Sequence, residues 1–308
     1  MFDDRLVIVN HRIKPRPVRP GGKLFLTASA SEGAAVLLKS GAQVIEFAGG
    51  DGTFSATLDA ALLQNPDYLQ GRMIRIQPRG TGNDRHKSLH EIFSAYRNDR
   101  TSQPSVYEYN GRHFLTDDYL LVTLNGKYRR HVFNIAGIGL DSQALIEYED
   151  FRGWPWPSSL KYFGAATRAI HKLNGYHGKV EFSSGSGGTG KAEPIMFLFM
   201  LGKYFGGGMP VNGRLQPDDG RFESVILQRG TPLKLYRTLA EISLLGRPQY
   251  KNDIVRYLDP SSTAEVSVIS SDKFYFESDG EIFTVNGQPL EVQHLSVRTA
   301  GKITYMLD

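Results

Sequence analysis

The sequence predicts an α/β N-terminal domain built on a parallel sheet, followed by a mainly antiparallel, β-sandwich-like C-terminal domain. Three observations lead there. Short apolar strands alternate with helical periodicity through the first part of the chain. From about Ser105 strand-like runs follow one another, separated by Gly, Asn, Asp or Pro turns. Glycine-rich loops directly follow two of the early strands, the position where ligands gather in an α/β sheet. The boundaries drawn are residues 1–115 and 116–294, with about 295–308 expected to pack back onto the first domain.

In chain order, Leu6 to Val9 and Lys23 to Leu26 read as strands, Glu32 to Lys39 as a helix, and Val44 to Ala48 as a third strand. Thr53 is placed to cap a helix on which Phe54, Leu58, Ala61 and Leu62 share a face, and Asn65-Pro66 stops it. Met73 to Ile76 is the next strand. The later strands expected are Tyr119 to Leu124, His131 to Ile135, Lys179 to Phe182, Ile195 to Leu201, Phe222 to Leu227, Ala264 to Ile269 and Lys273 to Phe276, with helices at Ser159 to Leu173 and Leu233 to Leu245. Residues 185–192 imitate a Walker A loop through Lys191, but Ala192 stands where a hydroxyl is needed and Pro194 forbids the following helix. The segment reads as a hairpin loop.

Composition excludes several classes. The 308 residues contain no cysteine, so there is no disulfide framework, thiolate metal site or cysteine nucleophile. With 40% hydrophobic and 22% charged residues the chain reads as an ordinary soluble globular protein. Ile195 to Leu201, the longest strongly apolar run, is too short to span a bilayer. No secretory segment opens the chain, and a cytoplasmic location is expected. The net charge of +4 favours anionic partners, but no arginine-rich block or RNA-binding signature points to nucleic acid.

Chemistry concentrates in five motifs. Gly49-Gly50-Asp51-Gly52-Thr53 joins a strand to a helix. Its glycines are expected to adopt conformations closed to residues with a Cβ, letting backbone N–H groups converge on an anion. A plain turn with Asp51 as a helix cap fits the pentapeptide equally well. The others are Pro78-Arg79-Gly80-Thr81-Gly82-Asn83-Asp84, Phe205-Gly206-Gly207-Gly208-Met209, Gln216-Pro217-Asp218-Asp219-Gly220-Arg221-Phe222, and Asp279-Gly280-Glu281.

In this order the motifs resemble those of the bacterial lipid kinases of the diacylglycerol kinase and sphingosine kinase family, which share the Gly-Gly-Asp-Gly loop with the NAD kinases. The resemblance runs from about Leu24 to the end. It implies ATP and Mg²⁺ as cofactors, a membrane lipid such as diacylglycerol as substrate, and peripheral contact with the membrane. Gly49, Gly50, Asp51, Gly52 and Thr53 would line the ATP phosphates, with Asn10, Thr27, Gly80, Thr81, Asn83 and Asp84 completing the nucleotide site. Asp51, Asp279 and Glu281 would be the catalytic carboxylates. Asp219, with backbone carbonyls at Gln216 and Arg221, would hold a structural Mg²⁺. Exposed edge strands of the second domain would permit a homodimer.

Departures from the family pattern keep two other readings open, a kinase of a soluble substrate and a nucleotide-binding regulatory protein without catalysis. Asn10 keeps the first residue of the usual Asn-Pro-x-Ser-Gly loop. His11-Arg12-Ile13-Lys14 and Pro15, Pro17 and Pro20 replace the rest and forbid a helix there. Arg12, Lys14, Arg16 and Arg19 read as a solvated arm, with anionic headgroups the alternative. Both tryptophans lie in residues 151–156, which suits a membrane interface or a loop packed under the next helix, the packed loop being favoured.

Overall fold

The computed structural model describes residues 5–10, 22–79, 83–101, 105–173, 178–211, 216–245 and 253–307. The basic Pro-rich arm, Gly80 and Thr81 lie outside the described residues, as does the side chain of Asn10.

The N-terminal region is α/β. Strands β1 (Arg5–Asn10), β2 (Gly22–Thr27), β3 (Val44–Gly49) and β4 (Met73–Pro78) are parallel, in the order β2-β1-β3-β4, with α1 (Ala30–Lys39), α2 (Asp51–Gln64) and α3 (Asp84–Asn98) between and after them. Every residue of β3 is buried, as in a strand covered on both faces. α1 is capped reciprocally: Ser29 Oγ accepts from the Glu32 N–H, and the Glu32 carboxylate accepts from the Ala28 N–H. The expected face of α2, Phe54, Leu58, Ala61 and Leu62, is buried against Ile8, Phe47 and Ile74. Its start differs from expectation. Thr53 is not the cap; the extended Gly50 is, and its carbonyl accepts from the N–H groups of Thr53 and Phe54. The helix therefore begins at Asp51 and ends, as predicted, at Asn65.

The C-terminal region is rich in antiparallel strands. It continues with β5 (Val106–Tyr109), β6 (Arg112–Leu124), β7 (Tyr128–Val132), β8 (Ile135–Gly139), α4 (Leu140–Phe151) and α5 (Ser158–Lys172). The hairpin β9 (Val180–Ser184) and β10 (Thr189–Ala192) accounts for the Walker-like segment as a turn. Next come β11 (Pro194–Met200), the pair β12 (Tyr204–Phe205) and β13 (Met209–Pro210), β14 (Phe222–Gln228), α6 (Pro232–Leu245), β15 (Val255–Ser261), β16 (Thr263–Val268) and β17 (Phe274–Ser278). Four two-residue strands, β18 (Glu281–Ile282), β19 (Thr284–Val285), β20 (Gln288–Pro289) and β21 (Glu291–Val292), lead into β22 (His294–Met306).

A sheet containing β15-β14-β11-β8-β17-β18 stacks against the β6, β16 and β22 part of the larger sheet. β11 shows how the layers form. Phe197 and Phe199 point into the core between the sheets, while Met196, Leu198 and Met200 pack beneath α4, α5 and α6. One expected strand, residues 131–135, is divided. β7 pairs with β6 in the larger sheet, whereas β8 pairs with β11 and β17 in the other. The break at Phe133 and Asn134 exists because their N–H groups bond to a side chain, Asp279, instead of a ladder.

β22 runs through both regions. It pairs with β6 along nearly all its length, from Leu295↔Leu124 to Met306↔Phe114. On its other edge β16 occupies the first half and β4 the end, through Thr304↔Met73 and Tyr305↔Ile74. Among the described residues no helix is long and apolar enough to cross a membrane.

Candidate active site

Asp51 stands where β3 gives way to α2, and its surroundings revise the role of the glycines. None of Gly49, Gly50 and Gly52 has a positive φ. Room is the reason for two of them. A Cβ on Gly49 would lie 2.9 Å from Thr53, and one on Gly52 would lie 2.4 Å from the Glu281 carboxylate. The bare helix start thus lets Glu281 lie over the loop.

The Asp51 carboxylate accepts from the Asp84 N–H at 2.7 Å and the Arg85 N–H at 3.3 Å. It therefore caps α3, whose own N-cap residue, Asn83, is left-handed and makes no side-chain cap bond. Asp84 in turn accepts from the Gly207 N–H at 2.9 Å, and Lys87 Nζ lies 3.5 Å from its other oxygen. The Gly206-Gly207-Gly208 loop does require glycine, with φ of 58°, 87° and 111°. Three motifs far apart in sequence thereby form one chain of contacts. Burial, then the charge of Asp84, pushes the Asp51 pKa up to about 7, against the two backbone donors.

The Asp279-Glu281 pair divides its work. Asp279, at φ 51° and 4% exposed, accepts from the N–H groups of Phe133, Asn134 and Ile135 at 3.1, 2.8 and 3.1 Å. It pins the chain where it passes from one sheet to the other. Burial pushes its pKa up, with the backbone donors and Arg130 opposing. Glu281 is half-exposed and bonds to Arg130 at 3.4 Å. Arg130 also donates to Ser278 Oγ at 3.0 Å and to Asp59 at 3.2 Å. No motif contains Arg130, and the only local signal was a cation beside the buried strand His131 to Ile135.

Behind these groups lies a cavity of about 250 Å³. Its lining combines four acids, Asp51, Asp84, Glu277 and Asp279, with the apolar and aromatic side chains of Leu145, Tyr148, Tyr162 and Phe205. Glu277, which opens the segment Glu277 to Glu281 and to which the sequence assigned no role, is buried within hydrogen-bonding reach of buried Asp141. Burial raises both, Asp141 to about 7 and Glu277 well above the usual carboxylate value, and the charge of Asp141 raises Glu277 further. Burial and the Asp141 charge likewise hold Tyr162 as the phenol.

The remaining expected residues are spread around this centre. Thr27, at the end of β2 beside Asn10, is buried and donates its hydroxyl hydrogen to the Ser29 carbonyl. Thr53 packs on Gly49. Gln216, Asp219 and Arg221 line a separate cavity of about 20 Å³ together with Asp117 and Glu223. Asp219 accepts from the Arg221 N–H at 2.9 Å. Among the described residues no group of three or more His, Cys, Asp or Glu side chains is placed to hold a metal ion. A cation at Asp219 would depend on carbonyl oxygens and water, a hard-oxygen donor set compatible with Mg²⁺.

Comparison with solved structures identifies the fold. Three proteins from Bacillus anthracis str. Sterne, described as diacylglycerol kinases, two of them provisionally, superpose over the whole of this chain. The first has a TM-score of 0.66 at 16% identity, with 97% of that chain covered. The others have TM-scores of 0.61 and 0.63 at 14% identity, with 97% and 98% covered. No protein-family profile and no curated protein matches the sequence. At this identity the likeness establishes a shared two-region fold.

Proposed function

We propose that the protein is an ATP- and Mg²⁺-dependent lipid kinase that phosphorylates a hydroxyl of diacylglycerol or a related amphiphile at the membrane surface. The observation that carries this reading is the divided lining of the cavity beside Asp51, which combines the acids Asp51, Asp84, Glu277 and Asp279 with the apolar and aromatic Leu145, Tyr148, Tyr162 and Phe205. An amphiphile with one reactive hydroxyl matches that division, whereas a soluble polar substrate would leave the apolar side chains unmatched.

When bound, ATP with Mg²⁺ supplies the phosphoryl group and neutralises its charge. Gly49 to Thr53, at the N-terminus of α2, would hold the phosphates, and Asp219 with the Gln216 and Arg221 carbonyls would hold the structural cation. Asp51, poised near pH 7, takes the proton of the attacking hydroxyl. Asp279 fixes the backbone on the far side of the cleft, and Arg130 steadies Glu281 above Gly52.

Incubation of the pure protein with labelled ATP, Mg²⁺ and a panel of lipids in mixed micelles tests the proposal. Label in a lipid is expected; nucleotide binding without any labelled lipid overturns it.

A further inference from the structure

We propose that the turn between α4 and α5 is a membrane-docking wedge that seats the helices lining the candidate-site cavity on a phospholipid surface, an inference that rests on reading the cavity as a lipid site. Trp154, Trp156 and Leu160 are 44%, 48% and 54% exposed. The favoured expectation, a packed loop, holds only for the base of this turn. Trp154 rests on Phe151 with ring centroids 5.1 Å apart, and Trp156 meets Trp154 edge-on at 4.8 Å, so the rings support one another while facing water. Pro155 and Pro157 stiffen the segment and offer no N–H groups that would need partners in an apolar layer.

Three features select a lipid surface as the occupant. Indole rings combine an apolar body with one N–H donor, the chemistry favoured at the boundary between headgroups and acyl chains. Residues 151–161 contain no acid, and with Arg152 paired to Glu149 the cation this turn offers to anionic headgroups is Lys161. The acids just before the turn, Glu149 and Asp150, are already paired with Arg152 and Arg168 at 2.7 and 2.6 Å. Finally, the helices that carry the turn also build the cavity. α4 contributes Leu145 and Tyr148 just before Phe151, and α5 contributes Tyr162 just after Leu160. A bilayer touching the tryptophans therefore lies beside the two helices that line the cavity.

Because the chain has two tryptophans and both are in this turn, its intrinsic emission reports on the wedge alone. Vesicles of phosphatidylcholine, with and without phosphatidylglycerol, should shift the emission to the blue, more strongly with the anionic lipid, and brominated acyl chains should quench it. The double variant Trp154→Ala/Trp156→Ala should lose about tenfold or more in vesicle co-sedimentation, equivalent to about 1.4 kcal/mol, with an unchanged circular dichroism spectrum. Unchanged emission with both vesicle types, or undiminished sedimentation of the double variant, overturns the wedge. The two readings fail separately. Labelled lipid in detergent micelles without an emission shift refutes the wedge alone, while an emission shift without labelled lipid refutes the kinase alone.

Discussion

The side chain of Asp51 caps the helix that starts at Asp84: its carboxylate accepts from the Asp84 N–H at 2.7 Å. One residue thus opens α2 and terminates the backbone of α3, which locks two glycine loops into a single geometry. A carboxylate in that position also receives the positive end of α3, which favours its ionised form, while burial favours the neutral one.

Replacement of Asp51 by Asn keeps an acceptor for α3 but removes the base. Turnover is expected to fall by about 10² to 10⁴, with nucleotide affinity, measured by calorimetry, changed little. Loss of affinity together with turnover would make the residue an architectural cap and not a proton acceptor.

The same residue predicts a pH effect on stability. Between 3.8 and about 7 the folded chain keeps a proton on Asp51 that the unfolded chain has lost, so this group's contribution falls as pH rises through that window. Without nucleotide or divalent ions, Asp51→Asn should gain on wild type from pH 4 to pH 7, by on the order of 3 kcal/mol, and the weaker cap, being equal at both pH values, leaves that gain unchanged. Urea denaturation at several pH values checks it; a gap that does not change with pH contradicts the burial argument.

Gly52→Ala should separate activity from folding. Its Cβ would press on the Glu281 carboxylate at 2.4 Å, a mobile end that yields without disturbing the core. Tm is expected to change by no more than about 3 °C, while turnover drops at least about tenfold as Glu281 and Arg130 move. Equal activity in the variant would show that Glu281 need not lie over the loop.

Arg85 is 1% exposed and bonds to buried Asp117 and to the Tyr305 hydroxyl. Asp117→Ala leaves that cation without its counter-charge and should cost about 3 to 5 kcal/mol. Arg85→Met combined with Asp117→Leu should recover much of the loss in a denaturation experiment. No recovery would mean that the cost came from the space around β6 and not from the unpaired charge.

Asp219 offers a test of the proposed structural cation. Mg²⁺ should raise the Tm of the wild type, by roughly 2.7 kcal/mol of stabilisation at a hundredfold excess over Kd, and should not raise that of Asp219→Ala. An equal response of both proteins would place the ion elsewhere.

Much of the fold was readable locally because the buried strands carry continuous apolar runs. Val44 to Ala48 and Ile195 to Leu201 lie within a residue or two of β3 and β11. Two missed helices and one strand break share a cause, since their determinants are distant. α3 has a largely polar sequence, and its cap, Asp51, is 33 residues away. α4 follows β8 directly through Gly139, held at φ 105° by close approach to the Ile195 carbonyl, so no polar cap announces it. The division between β7 and β8 depends on Asp279, which is 145 residues from the Asn134 N–H that it captures. At the candidate site, the five motifs pointed to Asp51, Asp84 and Asp279. Glu277 and Arg130 acquire their significance only from partners on other elements, Asp141 on α4 for the first and Asp59 on α2 for the second.

The position of β22 has a consequence for biosynthesis. The strand that lies beside β4 at one end and β16 at the other is the last of the described strands to leave the ribosome. Until it arrives, β4 and β6 carry open, hydrogen-bonding edges that invite pairing with neighbouring nascent chains. A product stalled before β22 is therefore a sticky intermediate whose larger sheet is incomplete, and chaperone demand should be concentrated in the interval before β22 emerges.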